Sequence, residues 1–406
     1  MAQQSDVKNV VGRDRLISRI WQKLETGSLR FTAERRIGKT TVMKKMAIEP
    51  REGWQVVFID LEGVASPEGF AEALLAKIRP LMPVGQSGHH WFQKFLDTVG
   101  GTEIGGVIKL PEFSKMGWRP TIEQAFEGIC SQLGDAKLLL LFDELPYMLQ
   151  KIAVYGNRSR DGENFALEML DTLRAVRGEH EENLRMIYAG SVGLHHVITE
   201  LRGTEFASQP VNDMMLVEIR SLEDEDAIQL ANRLLKVEAV LLSDATSLEL
   251  LSQTLAEATD RVPFYLERVI ARLAEFDRPV MLDDVQSVVA HHLADDFDHW
   301  EMEHFRERLK IYYTGDLVDA NGAVIPRSLV AREVLDYMSQ ETEPQSIDQV
   351  WQGLKAKLAL TDRGVAVDFL KLLAQDHYLK SDSAKRYSFR FPLIQKWWVL
   401  AQGLGS

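Results

Sequence analysis

The segment from Leu29 to Met46, LRFTAERRIGKTTVMKKM, constrains the fold of this chain more than any other stretch. A short apolar run leads into a polar turn and then into a helix-forming run, so the pattern predicts a strand, a tight loop and a helix. Ala33, Gly38, Lys39 and Thr40 follow the phosphate-loop pattern G-x-x-x-x-G-K-[ST], except that alanine takes the place of the first glycine. The segment therefore predicts a binding site for nucleotide phosphates.

The residue types of this loop suit phosphate chemistry. Phosphate oxygens bind backbone N–H groups of a tight turn and the positive end of a helix dipole, and Gly38 allows the backbone to approach them closely. Lys39 is placed to reach the β and γ phosphates. Thr40 offers a hydroxyl to Mg²⁺, which takes oxygen ligands and is usually shared with substrate phosphates. Thr41 supplies a spare hydroxyl in the same helical turn.

A second apolar run ends in two adjacent acids. Lys137–Leu149, KLLLLFDELPYML, predicts a strand buried on both faces, with Asp143 and Glu144 at its carboxyl end. A phosphate loop needs such an acidic partner on a second strand. Asp143 suits Mg²⁺ coordination, directly or through water, and Glu144 suits polarising the water that attacks the γ-phosphate. The two motifs together predict that the chain binds a nucleotide.

Five short segments carry a family resemblance: Val11-Gly12-Arg13-Asp14, Glu34-Arg35-Arg36-Ile37-Gly38-Lys39-Thr40, Phe142-Asp143-Glu144-Leu145-Pro146, Ala189-Gly190-Ser191 and Trp397-Trp398. They resemble the archaeal-type ATPases, which are relatives of the signal-transduction (STAND) and origin-recognition ATPases within the AAA+ group. The resemblance implies ATP and Mg²⁺ as cofactors and ATP hydrolysis as the activity. The departure at Ala33 is small, because a methyl group is the smallest addition to glycine.

The resemblance also implies roles for single residues around the loop. Gly12 and Arg13 belong to a turn that lies against the adenine base, with an ordinary helix entry as the alternative. Arg36 and Ile37 belong to the intact core of the loop. Ser191 matches the family's first sensor position, although a serine after a strand is also a good start for a helix.

Three further positions come from the same resemblance. Arg202 lies in a polar stretch where AAA+ proteins often place an arginine that completes a neighbour's γ-phosphate site, whereas a solvated surface arginine is the alternative. Pro263 matches a turn that leans on the adenine, and Arg261 or Arg268 would reach the γ-phosphate as a second sensor. Arg261 stands where glycine is usual, and a helix-starting proline with solvated arginines is the alternative there.

The expected fold is α/β, a P-loop NTPase parallel sheet of the AAA+ kind followed by a helical lid and a C-terminal winged-helix domain. The expected boundaries are an ATPase core over 1–220 with a glycine-rich insertion around 84–120, a lid over 221–294, a helical connector over 295–326 and the winged helix over 327–406. Strand Gln55–Leu61 and helix Pro67–Leu81 predict a βαβ unit that returns the chain beside the first strand. Three amphipathic helices and a two-stranded hairpin predict the winged helix.

Composition argues against several classes of protein. The chain of 406 residues has no apolar run long enough for a membrane span, and its first residues lack the design of a signal peptide. The single cysteine, Cys130, precludes an internal disulfide and indicates the cytoplasm. The net charge of −13 argues against a protein that coats nucleic acid over its whole surface, but it leaves room for a local basic patch.

Three functions remain open from the sequence. The first is an ATP-driven switch or assembly ATPase that self-associates with ATP and binds a protein partner. The second is a DNA-acting ATPase that uses its winged helix, and the third is a nucleotide-dependent component of a bacterial defence system. Beyond Arg327, basic residues only narrowly outnumber acidic ones, which favours the first function. Lys380, Lys385, Arg386 and Arg390 cluster on the predicted wing, which keeps the second function open.

Overall fold

The computed structural model describes residues 10–81, 93–98, 100–104, 107–109, 117–158, 165–190, 193–202, 209–318, 322, 324–358 and 360–404. Contacts within the chain divide the protein into two units, Met1–Ile219 and Arg220–Ser406. Each unit buries its own set of apolar side chains.

A parallel sheet forms the centre of the first unit. The strands of this unit are β1 Leu29–Thr32, β2 Trp54–Asp60, β3 Thr102–Ile104, β4 Val107–Lys109, β5 Lys137–Asp143, β6 Leu184–Tyr188 and β7 Met215–Glu218. Five of them form one sheet in the order β2-β5-β6-β1-β7, with parallel neighbours throughout. β5 is buried from its second residue and β6 over its whole length, as expected for central strands covered on both faces. The predicted α/β fold with a parallel sheet is confirmed.

The strand order corrects one expectation about the sheet. β1 and β2 are not neighbours, because β5 and β6 lie between them. The handedness of a βαβ crossover is fixed by strand twist, but the number of strand positions that it skips is not. The chain after β2 and its helix was expected to return beside β1, whereas the next strand of the sheet, β5, lies beside β2 and is separated from β1 by β6.

Helices surround this sheet. They are α1 Asp14–Leu24, α2 Lys39–Ile48, α3 Pro67–Ile78, α4 Trp118–Gln132, α5 Leu145–Arg158, α6 Phe165–Glu179 and α7 Leu194–Arg202. Residues 93–98 are also helical. α3 shows why such helices begin where they do, since Ser66 accepts a hydrogen bond from the Gly69 N–H at 3.1 Å and Pro67 occupies the first turn. Strands β3 and β4 pair as an antiparallel hairpin inside the predicted insertion.

The second unit is mainly helical. Its helices are α8 Asp224–Val237, α9 Leu248–Ala258, α10 Pro263–Ala274, α11 Leu282–Leu293, α12 Glu303–Tyr312, α13 Arg327–Ser339, α14 Ile347–Leu358, α15 Arg363–Gln375 and α16 Pro392–Ala401. Its strands form two antiparallel hairpins, β8 Asp316–Val318 with β9 Val324–Pro326, and β10 Leu379–Ser381 with β11 Tyr387–Phe389. α13 to α15 followed by β10 and β11 have the order that the winged-helix prediction requires. The winged helix itself stays a prediction.

The region predicted as a helical connector is only partly helical. α12 covers Glu303–Tyr312, and the hairpin of β8 and β9 follows it. Strands of three residues are too short to give a readable alternation of apolar and polar positions, so the sequence did not predict this hairpin.

The helices of both units have the lengths of ordinary globular helices. α4 and α6 each contain 15 residues. Within the described ranges, no helix is long and apolar enough to cross a membrane.

Candidate functional site

The loop between β1 and α2 has the backbone shape that the phosphate-loop prediction requires. Gly38 is the residue that precedes α2, and its φ of 101° lies in the left-handed region. A Cβ at Gly38 would meet nothing closer than 3.9 Å, so glycine is favoured there by conformation and not by lack of space. Arg36 also has a positive φ, 71°. The two left-handed residues turn the chain sharply from the end of β1 into the first turn of α2.

Lys39 lies folded against its own loop. Its side chain is 7% exposed, and its Nζ donates to the carbonyl oxygens of Ala33 at 3.0 Å and Glu34 at 3.1 Å. These two contacts hold the ammonium group inside the loop, next to the amino end of α2. A fixed positive charge at a helix amino end is a favourable environment for an anion.

Arg13 lies behind the loop. The side chain is buried, and Nη2 donates to the carbonyl oxygen of Ile37 at 2.6 Å. This charge-assisted hydrogen bond joins the turn before α1 to the residue just before Gly38. Arg13 was predicted to contact adenine. In the structure it supports the backbone of the loop, and the adenine contact stays a prediction.

Thr40 and Asp143, one from each of the two motifs, are in direct contact. Thr40 Oγ1 donates to Asp143 Oδ2 at 2.6 Å, although 103 residues separate them in sequence. The other carboxylate oxygen of Asp143, Oδ1, is buried and makes no hydrogen bond within the described part of the chain. Burial raises the pKa of Asp143 to about 6, against the lowering effect of the Thr40 hydrogen bond. Asp143 thus contacts Thr40 through one oxygen and keeps its second, buried oxygen as an acceptor.

This arrangement fits a magnesium ion. Mg²⁺ takes hard oxygen ligands and is typically held by one or two protein groups together with phosphates and water. The Thr40 hydroxyl and the Asp143 carboxylate are such groups, and the buried Oδ1 is an acceptor that a cation would satisfy. A nearby cation would also favour the charged form of Asp143.

Glu144 follows Asp143 in an unusual backbone conformation. Its φ is 56°, which is rare for a residue with a large side chain. Its carbonyl oxygen accepts from the Met148 N–H at 3.1 Å, so Glu144 is the residue from which α5 begins. The side chain is partly exposed beside the fully buried strand end. Glu144 is therefore placed at the same edge of the sheet as Asp143 and within reach of solvent.

Asp60 is a third acid at this edge that the motifs did not assign. It ends β2 and pairs in register with Asp143, and its charge contributes to the raised pKa of Asp143. Because the carboxyl ends of parallel strands meet at one edge of a sheet, the position of Asp60 at the end of its strand was the signal that would have found it.

Five further predicted site residues are Ser191, Arg202, Thr41, Gly12 and Pro263. Ser191 lies outside the described residues, and Arg202 ends α7 with a side chain that is also outside them. Thr41 faces the turn at Gly38, with its Oγ1 3.9 Å from where a Cβ would stand there. Gly12 has a φ of 73°, which explains a glycine in the turn before α1. Pro263 occupies the first position of α10 in the second unit.

Comparison with known proteins shows the fold. No protein-family model matches this chain, and no curated protein matches it. A Walker-type ATPase of Pyrococcus abyssi is similar in structure, with a TM-score of 0.62, 16% identity, and 96% of each chain covered. The branch-migration motor RuvB of Thermotoga maritima aligns with a TM-score of 0.38 and 13% identity over 95% of this chain and 91% of its own. A chain of the Drosophila ORC structure aligns with a TM-score of 0.42 and 10% identity over 97% of this chain and 96% of its own.

Only the first of these similarities is strong enough to support a conclusion. This chain has the fold of a Walker-type ATPase over nearly its whole length. The fold that the family resemblance implied is thereby confirmed.

Proposed function

We propose that this protein binds ATP with Mg²⁺ at the loop between β1 and α2 and hydrolyses the γ-phosphate. The observation that carries the proposal is the 2.6 Å contact between Thr40 and Asp143, with the second carboxylate oxygen of Asp143 buried and available. It brings the two halves of a phosphate-loop site together at the carboxyl edge of a parallel sheet, where ligands bind in open α/β folds.

Each residue of the loop has a distinct task in this proposal. The backbone around Gly38 and the amino end of α2 bind phosphate oxygens. Lys39, now held by the Ala33 and Glu34 carbonyl oxygens, exchanges one of these contacts for a phosphate oxygen. Thr40 and Asp143 would hold Mg²⁺, which when bound neutralises charge that develops on the phosphates. The Arg13 contact to Ile37 keeps the loop in shape while these contacts change.

Glu144 acts on the attacking water. Its carboxylate orients a water molecule toward the γ-phosphorus and accepts a proton from it as the new P–O bond forms. The bond between the γ-phosphorus and the oxygen that bridges to the β-phosphate breaks, and that oxygen leaves with ADP. Asp143 and Glu144 thereby divide the work, since Asp143 is buried behind Thr40 whereas Glu144 is partly exposed.

Glu144→Gln tests this division directly. The substitution keeps the shape of the side chain and removes the carboxylate, so phosphate release should fall by about 10²-fold or more while ATP binding persists. Phosphate release under saturating ATP is the measurement, and calorimetric binding of ATP to the variant is its control. Undiminished release would remove Glu144 from the catalytic role.

The finer proposal concerns what ATP binding controls. We infer a switch or assembly ATPase in which Ser191 senses the γ-phosphate, Arg202 completes the site of a neighbouring copy, and Gly12 and Pro263 lie against adenine. Support comes from the family resemblance and from the position of Arg202 at the end of α7, the helix that follows β6. A head-to-tail contact of this kind forms a ring or a helical filament.

DNA binding is the second candidate. It is favoured by two exposed lysines on the hairpin of β10 and β11, Lys380 and Lys385, of which Lys385 lies in the turn. Arg386 in the same turn is already paired with Asp382 at 2.8 Å, which reduces the charge that the hairpin offers to phosphates. Nucleic-acid binding depends on such basic surface charge.

A further inference from the structure

We infer that Gly190 is a positioning residue for Glu144, because only a residue without a side chain lets the end of β6 pack against the Glu144–Pro146 turn. This inference rests on the proposed function, since it concerns the residue assigned there to the attacking water. In this inference Gly190 acts only through the turn that carries Glu144.

The space at Gly190 is already occupied by Pro146. A Cβ built at Gly190 would lie 2.5 Å from Pro146 Cδ and 2.8 Å from Pro146 Cγ, both far inside a normal contact, and 3.6 Å from Glu144 Oε2. Gly190 is not among the residues with a positive φ, so no left-handed backbone conformation requires glycine there. The requirement for glycine is therefore one of space, and the atoms that create it belong to one proline ring.

Hydrogen bonds hold this contact in place from both sides. The Ala189 N–H donates to the Phe142 carbonyl oxygen at 2.9 Å, and the Ala189 carbonyl oxygen accepts from the Leu145 N–H at 3.1 Å. Ala189, which follows β6, is thus hydrogen-bonded to the residues on either side of Asp143 and Glu144. The Pro146 ring, directly after Leu145, then fills the space next to Gly190.

These contacts explain how Glu144 keeps a left-handed backbone conformation. Such a conformation is unfavourable for a side chain with a Cβ and persists only when its surroundings determine it. Here the turn is held by the two Ala189 hydrogen bonds before and after it and by the Pro146 ring packed on Gly190. The direction of the Glu144 side chain follows from that turn, because φ sets where the Cα–Cβ bond points.

An added methyl group at Gly190 would move the turn. Pro146 and Gly190 must separate by roughly 1 Å to restore an ordinary carbon–carbon distance. A displacement of about 1 Å at a catalytic group costs as much as 10²-fold in rate. Gly190→Ala should therefore lower kcat by about 10- to 100-fold. ATP affinity should stay near that of the wild type, because the three atoms nearest to a Cβ at Gly190 belong to Pro146 and Glu144 and not to Lys39, Thr40 or Asp143.

The test is a double-mutant cycle on the full chain. Pro146→Ala removes Cγ and Cδ, the two atoms that the new methyl group would meet, so the double variant Gly190→Ala/Pro146→Ala should recover the kcat of Pro146→Ala alone. Gly178→Ala is the matched control, since a Cβ at Gly178 in α6 meets nothing within 4 Å. It should keep the wild-type kcat. Steady-state phosphate release gives kcat and KM, and thermal unfolding checks that every variant is folded.

Two results would overturn the inference. One is a wild-type kcat in Gly190→Ala, and the other is a loss of kcat that Pro146→Ala does not restore although the variants melt alike. Crystal structures of the wild type and Gly190→Ala separate this inference from the proposed function. They should show Pro146 and Glu144 displaced in the variant even if the wild type hydrolyses no ATP, and an unmoved Glu144 would contradict the inference by itself.

Discussion

At the residue scale, the buried carboxylate of Asp143 lowers the free energy of unfolding when it is charged, and this effect depends on pH. Burial raises its pKa from 3.8 to about 6, so the folded protein binds a proton more readily than the unfolded chain between these values. The sign follows from linkage: without ligand, the cost is full above pH 6 and disappears as the pH falls toward 4. A shift of this size corresponds to about 2–3 kcal/mol.

Asp143→Asn should remove this cost. Its side-chain oxygen still accepts from Thr40, so the variant should be more stable than the wild type at pH 7.5, and the difference should shrink toward pH 4.5. Urea unfolding of both proteins without ATP and Mg²⁺ measures the difference. Asp260 has a pKa of about 6 for the same reason, but it is present in both proteins and cancels. A difference that grows on acidification would contradict the assignment of the charge cost to Asp143.

At the residue scale, sequence predicted the residues whose chemistry is carried by type and spacing. Lys39, Thr40 and Asp143 are recognisable because a phosphate and a cation need these groups. The sequence did not predict the Arg13 contact to the Ile37 carbonyl oxygen or the packing of Pro146 on Gly190. Both contacts depend on how two segments pack in three dimensions, and neither residue pair has a spacing that a motif records.

At the element scale, the sequence predicted the buried central strand but not the order of the strands or the shortest hairpin. β5 is apolar from Leu138 to Phe142, and a strand with that pattern belongs in the centre of a parallel sheet. The prediction that the chain returns beside β1 after β2 and its helix was wrong, because crossovers can skip strand positions and β5 lies beside β2 instead. The short hairpin of β8 and β9 was missed because three-residue strands give no period to detect.

Helix α16 owes its start to a residue far away in sequence. The Leu393 N–H donates to Asp260 Oδ2 at 2.7 Å, whereas Phe391, the residue before the helix, provides no side-chain cap. Asp260 itself has a φ of 51°. An aspartate or asparagine accepts this conformation better than alanine does.

Two variants separate the hydrogen bond from the charge of Asp260. Both Asp260→Ala and Asp260→Asn remove the buried charge, but Asp260→Ala also leaves the Leu393 N–H without its acceptor, so it should be about 1–2 kcal/mol less stable than Asp260→Asn. Asp260→Asn keeps an acceptor and loses the penalty for burying a charge, so at pH 7.5 it should be at least as stable as the wild type. Urea unfolding midpoints compare the three proteins. Equal stability of the two variants would mean that the hydrogen bond to the Leu393 N–H does not support α16.

At the scale of the whole molecule, the proposal predicts that two inactive variants complement each other. Lys39→Ala lacks a nucleotide site and Arg202→Ala lacks the arginine offered to a neighbour, so each should be nearly inactive alone. An arginine supplied by a neighbour accelerates phosphoryl transfer by about 10³- to 10⁵-fold in well-studied NTPases. Mixing the variants should pair an intact loop with an intact arginine and restore part of the phosphate release.

Light scattering accompanies this experiment. ATP should increase the particle size of the wild type. If the size does not increase and mixing restores no activity, the protein is a monomeric switch and Arg202 is a surface residue.

A short DNA duplex added to the wild type tests the second candidate function, DNA binding. Binding that weakens steeply with salt would support a role for the exposed lysines of β10 and β11, and no binding would leave a protein partner.

The most direct test of the central claim is a calorimetric titration of ATP with Mg²⁺ into the wild type, Lys39→Ala and Lys44→Ala. Lys44 lies five residues further along α2, with its ammonium group 5.5 Å from the centre of the Phe58 ring, so it serves as a matched lysine control. The wild type and Lys44→Ala should bind alike, and Lys39→Ala should lose at least about tenfold in affinity, or roughly 1.4 kcal/mol. Equal affinity of Lys39→Ala and the wild type would contradict the assignment of this loop as the nucleotide site.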